Sequence, residues 1–146
     1  AMALADAFAN TNVADDLEQA VRDADIVTSA TMSTEALLQG EWFQLGQHID
    51  LIGAYRPDMR EADNTALRRS RVFVDSRDTT LGHIGELKTP LATGVITEAD
   101  IIADFYQPDQ FARQSADEIT LFKNGGGAHL DLMVSRYILD QWMVDQ

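Results

Sequence analysis

Ile49-Asp50-Leu51-Ile52-Gly53-Ala54-Tyr55-Arg56-Pro57-Asp58-Met59-Arg60-Glu61 is the stretch on which the fold turns. An apolar run ends in a glycine, a small residue follows, and the chain then turns through Arg-Pro-Asp into a charged segment. That order of residue types predicts strand, tight turn and helix. In an open parallel sheet such turns lie at the carboxyl ends of strands, where ligands bind. A glycine there allows a bulky ligand to approach the backbone with no Cβ in the way.

The same alternation continues on both sides. Upstream, Asp15-Asp16 leads into Leu17, Ala20, Val21 and Ala24 at helical spacing, with acids in the first turn. The run Asp25 to Thr31 predicts a buried parallel strand, because its β-branched residues suit a core on both faces. Ser33 to Leu38 predicts a short helix stopped near Gly40, and Trp42 and Phe43 are expected to cover the sheet edge. Met2 to Ala9 reads as a helix remnant or an ordered tail.

Downstream, a helix is expected from Pro57 to about Arg69, then a strand over Arg71 to Ser76. Thr97-Glu98-Ala99-Asp100 predicts a cap for a helix through Ile101, Ile102 and Phe105. Glu118 to Lys123 is a fourth strand. A helix from about Ala128 to Trp142 carries Leu130, Met133, Val134, Tyr137, Ile138 and Trp142 as a core-facing or interface-facing stripe. Strand, helix, strand, helix, strand at this spacing implies an α/β fold with a doubly wound parallel sheet and right-handed crossovers.

Composition bounds the function. With 146 residues the chain fits a single unit spanning residues 1–146, and it carries 24 acidic against 11 basic side chains, a formal charge of −13. So acidic a chain is a poor match for a phosphate backbone, which excludes a nucleic-acid partner. It has no cysteine, which removes thiolate catalysis and cysteine metal sites. No apolar run reaches the roughly 20 residues of a membrane span, and the start lacks a signal-peptide layout. A cytoplasmic protein with no membrane partner is therefore expected. Met2 is read as the initiator and Ala1 as a residue left from a tag.

Residues that could carry chemistry collect at three strand ends: Thr31-Met32-Ser33, Gly53-Ala54-Tyr55-Arg56 and Lys123-Asn124-Gly125. Small and polar side chains there suit a flat ring or a ribose resting on backbone; short loops closing βα units have the same composition. Gly125-Gly126-Gly127 before a helix resembles a phosphate cradle but lacks the spacing of a dinucleotide fingerprint or a P-loop, so a corner is the better reading. His48, His83 and His129 lack metal-ligand spacing, and no metal site is expected. Asp75 is the best placed acid, as a general base or equally as an exposed or capping carboxylate, and Ser76 has no nucleophile elbow around it.

Several of these segments, in this order, resemble the ornithine cyclodeaminase and mu-crystallin family. They are Ala24 to Thr31, Gly40-Glu41-Trp42-Phe43, Ile52-Gly53-Ala54 with Arg56 to Glu61, Val72 to Ser76, Gly85-Glu86-Leu87 and Thr120 to Lys123. The resemblance covers about Asp15 to about Tyr137. It implies a partial Rossmann-like sheet that lacks the family's first strand and glycine-rich loop. Residues of about 13–123 would form the latter part of an NAD(P)-binding domain. Residues of about 124–146 would form a C-terminal helix that in the family packs on the substrate and dimerisation domain.

The family implies NAD or NADP as cofactor, a small amino acid or cyclic imino acid as substrate, and a homo-oligomer. By resemblance Thr31, Ser33, Gly53, Ala54, Lys123 and Asn124 lie near the nicotinamide, and Tyr55 near the substrate. Cyclodeaminases of the family carry an aspartate two residues after the strand-end glycine; here that residue is Tyr55, which is closer to the ketimine reductases. The implied activity is thus NAD(P)-dependent reduction of a cyclic imine, or else ammonia-releasing ornithine cyclodeamination. Weak or absent NAD(P) binding and no catalysis are expected of this chain alone, as a truncated member. The alternative is a non-catalytic fragment whose uncovered sheet edge drives self-association.

Overall fold

The computed structural model describes residues 2–144, with the side chains of Leu4 and Ala5 left out; Ala1, read above as a tag remnant, lies outside the described residues. Five strands form the sheet: β1 (Ile26–Ser29), β2 (His48–Leu51), β3 (Arg71–Val74), β4 (Ile101–Ala103) and β5 (Thr120–Lys123). Their spatial order is β1-β2-β5-β3-β4, and every neighbouring pair is parallel. Among the described residues six α-helices accompany them: α1 (Met2–Ala7), α2 (Leu17–Asp23), α3 (Asn64–Arg69), α4 (Arg77–Thr80), α5 (Gly85–Ala92) and α6 (Ala128–Val144). The architecture is the Rossmann-like parallel α/β sheet that the spacing predicts.

Side-chain alternation along the central strands decides where the core lies. Ile49 and Leu51 of β2, Val72 and Val74 of β3 and Leu121 of β5 are all fully buried on one face. There they meet Val21 of α2, Ala66 and Leu67 of α3 and Leu87 of α5 in one cluster. Each such aliphatic side chain contributes about 1.5–3 kcal/mol on leaving water. Phe43, at 1% exposure, belongs to this core. The opposite face carries His48, Asp50, Thr120, Phe122 and Phe73. Over the last two lie Phe105 and Phe111, with ring centroids 5.0 Å (Phe73 to Phe111) and 5.4 Å (Phe105 to Phe122) apart.

Four local expectations are corrected. Pro57 to Glu61 is a turn, and α3 begins only at Asn64, capped by the Asp63 carboxylate accepting from Ala66 N. Ser33 to Leu38 is not helical either. The two stretches instead bond each other: Leu37 N and Leu38 N donate to Glu61 O, and Arg60 N to Ser33 O. Ile101 and Ile102 form β4, with only a 3-10 turn at Glu98–Asp100 before it, because β-branched residues beside Val72 gain more from the ladder than from a helix. Finally, β1 is an edge strand with Ile26 65% exposed, where a strand buried on both faces was expected.

Helix α6 follows β5 and has no buried residue; its Leu132, Met133, Tyr137, Ile138 and Trp142 are all exposed. The corner before it is made by Gly126, whose φ of +70° favours glycine, and by Gly125, which lies against Asp75, Thr79 and Thr80.

Candidate active site at the carboxyl edge of the sheet

The carboxyl ends of β1, β2 and β5 are neighbours, and one buried side chain binds the first two together. Glu61, with no exposed surface, places Oε1 where it accepts from Ser29 Oγ (2.7 Å), Thr31 N (2.6 Å) and Thr31 Oγ1 (3.0 Å). Its Oε2 accepts from Gly53 N (2.7 Å) and Ala54 N (3.1 Å). Burial alone would raise the pKa of this carboxyl. The hydrogen bonds from Ser29, Thr31 and Ala54 outweigh that and hold it below the usual carboxylate range.

A second buried acid supports the first. Glu86, on α5, accepts from Glu61 N (2.6 Å) and Ala62 N (3.1 Å). Burial pushes its pKa up, and the two backbone donors only partly oppose this. Lys123 shares the core face with Leu121, is fully buried, and donates from Nζ to Leu51 O (3.0 Å). Burial pushes the ammonium's pKa down against the pull of Glu86, Glu61, Asp75 and Asp50. Asp75 is itself fully buried, with Oδ1 accepting from Ser76 N and Oδ2 without a protein partner. Its burial removes the exposed carboxylate from the roles expected of it and leaves the general base and the capping carboxylate.

The residues singled out from sequence fall into two sets. Thr31, Gly53 and Asn124 are half-buried in one strip across the three strand ends, with Asn124 N donating to Leu51 O (3.0 Å). Ser33 lies beside Thr31, its N donating weakly to Thr31 Oγ1 (3.4 Å) and its Oγ to Glu35 O. Ala54 and the Lys123 side chain are beneath that strip, at 0% exposure. Tyr55 follows Ala54 in the chain and is 57% exposed, with the Arg56 guanidinium 6.0 Å from its ring centroid and bound in turn to Asp58. Met32 (73%) and Ile52 (39%) add exposed apolar surface at the same edge.

Gly53 has a different reason from the one its sequence suggests. A Cβ there would lie 2.0 Å from Thr31 O and 2.2 Å from Thr31 N, so the glycine lets β1 and β2 close on each other over Glu61. Glu61 and Glu86 were not singled out by sequence reasoning, since acids are numerous and Glu61 lies in a stretch that reads as helix. The available signal was the pairing of Gly53 with an acid in the following turn.

His48 Nδ1 pairs with Thr120 Oγ1 (2.8 Å) at the opposite end of the sheet, where burial pushes its pKa down. No cluster of three metal-ligating side chains occurs among the described residues. No helix among them is long and apolar enough to cross a membrane.

A parallel sheet with small and polar residues along one carboxyl edge defines a Rossmann-like α/β protein, and the edge over β1, β2 and β5 is its candidate ligand edge. The chain belongs to the ornithine cyclodeaminase/mu-crystallin family, which it matches over residues 2–146. It is 56% identical over 126 residues to the Delta(1)-pyrroline-2-carboxylate reductase of Paracoccus denitrificans, covering 84% of this chain and 40% of that protein. Among solved structures it resembles the Thermococcus litoralis Delta(1)-pyrroline-2-carboxylate reductase in complex with NADH and L-proline. There the TM-score is 0.72 at 32% identity, over 77% of this chain and 36% of that one. An archaeal alanine dehydrogenase dimer with bound NAD gives a TM-score of 0.79 at 28% identity, over 90% and 41%. The chain spans about 40% of the length of the reductase from Paracoccus.

Proposed function

We propose that this chain supplies the nicotinamide-facing edge of an NAD(P)-dependent reductase acting on a cyclic imino acid of the pyrroline-2-carboxylate type. The observation that carries this reading is the strip Thr31, Gly53 and Asn124 over a buried carboxylate, rimmed by exposed Met32, Ile52 and Tyr55. A flat ring fits such a strip: backbone and small side chains for its face, apolar side chains at its margin. The pyrophosphate half finds no match, since the chain has no Gly-x-Gly-x-x-Gly run.

When bound, the nicotinamide supplies hydride to the imine carbon. The chain's own part is to orient the ring on Thr31, Gly53 and Asn124 and to shield one side of it from water with Tyr55. Tyr55 in place of an acid favours reduction over cyclodeamination. Helix α6, with its apolar residues exposed, is assigned to the substrate and dimerisation part of the whole protein.

The test is a chimera in which this chain replaces the matching segment of the Paracoccus reductase. Consumption of NADH or NADPH with Delta(1)-pyrroline-2-carboxylate is the expected result. Ammonia release from ornithine with NAD+, or a folded but inert chimera, would overturn it. The isolated chain is expected to bind NAD(P) weakly and to turn over neither substrate.

A second reading is favoured by the free edge of β1 and the bare α6: alone, the chain self-associates. Sedimentation velocity is expected to show species larger than a monomer at tens of micromolar, by order of magnitude for such contacts. A well-folded monomer at that concentration would refute it.

A further inference from the structure

Glu61 meets only donors: two hydroxyls and three backbone N–H groups. All five are neutral, so they hold the carboxylate ionised without cancelling its charge. Those N–H groups belong to Thr31, Gly53 and Ala54, so the charge lies directly beneath the strip assigned above to the nicotinamide. Lys123 is the one buried ammonium among the described residues of this region, and the acids Glu86, Glu61, Asp75 and Asp50 that act on its charge outnumber it. A buried charge is screened less than an exposed one and acts over a longer distance.

We propose that Glu61 fixes a negative charge under the nicotinamide site and makes that site bind the oxidised ring, a cation, in preference to the neutral reduced ring. This rests on the functional reading above, and it gives Glu61 a role beyond tying two loops together. Glu61 is here a positioning residue that acts on the ring through the backbone of Thr31, Gly53 and Ala54.

Oxidised and reduced nicotinamide mononucleotide, which need no pyrophosphate cradle, are the probes. Their affinities for the chain are measured by NMR titration on the amides of Thr31, Gly53 and Asn124. In Glu61→Gln the new amide nitrogen can face Ser29 Oγ and Thr31 Oγ1, hydroxyls that rotate to accept, and the oxygen keeps Gly53 N and Ala54 N, but Thr31 N loses its acceptor. That local loss weakens both probes alike, so the ratio of their affinities reports the charge.

The expected result is that the preference for the oxidised over the reduced probe falls at least about tenfold in Glu61→Gln, the effect one charge exerts across about 12 Å of protein and a lower bound for one directly beneath the ring. A purely structural role would weaken both probes alike; an unchanged ratio overturns the proposal and leaves the nicotinamide reading intact. No binding of either probe to the wild-type chain overturns both.

Should Glu61→Gln fail to fold, Lys123→Met in a Glu86→Gln background is compared with Glu86→Gln alone. These two differ only by the ammonium, and its loss is expected to raise the preference for the oxidised probe. A constant ratio there refutes the charge effect.

Discussion

Gly53→Ala is expected to lose about 3 kcal/mol of stability, near the upper end of overpacking effects. The added methyl would lie 2.0 Å from Thr31 O, 2.2 Å from Thr31 N and 2.6 Å from Glu61 Oε1. Two of those atoms are backbone and the third is pinned by its own hydrogen bonds, so no flexible side chain is free to yield. Relief requires β1 and β2 to part at their ends, which undoes the contacts of Glu61 on both sides at once. A urea melt measures the loss; an unchanged slope with a midpoint shift would report stability alone. A shift under 1 kcal/mol would show that the two strand ends are not closed on each other in solution.

Glu86→Ala is expected to cost about 4 kcal/mol, since it strands two buried N–H groups, those of Glu61 and Ala62, and leaves a cavity beside Lys123. Glu86→Gln keeps the volume and costs less. Its comparison with wild type also reports the titration. Burial raises the folded pKa of Glu86 above its ordinary 4.5, so the folded state holds that proton more tightly than the unfolded state. This group's contribution is fully present below pH 4.5 and is lost as pH rises through the folded value. Melting curves should show that decline in wild type relative to Glu86→Gln, which has no proton to lose. Parallel pH profiles for the two proteins would mean that Glu86 titrates normally.

Much of the fold was legible because period-2 and period-3.6 patterns are local. His48 to Ala54 and Arg71 to Ser76 read as strands, and Leu17 to Val21 as a helix, from spacing alone. Ile101-Ile102-Ala103 did not, because a capping box and three apolar residues suit a helix equally well until Val72 offers a partner. Pro57 to Arg60 misled for a related reason. Its charges and leading proline suit a helix's first turn, yet Glu61 is drawn inward by five donors from distant or preceding segments, and no local signal encodes that.

The strip of the candidate site is drawn from residue types at strand ends, and the fold brings Thr31, Gly53 and Asn124 to one edge. Its charge was not legible, since a carboxylate's role here depends on burial and on donors up to 32 residues away in sequence.

Strand order also bears on how the chain comes to be folded at all. β5, the last of these five strands in chain order, is inserted between β2 and β3, with every neighbour contact closing a long loop. During synthesis β1 can join β2, and β3 can join β4, but the two pairs have no shared ladder until Thr120 to Lys123 emerges. Until that strand is in place the two pairs keep exposed inner edges. Lys123, arriving at the end of that strand beside Glu61 and Glu86, closes the sheet and completes the buried charge set in one event.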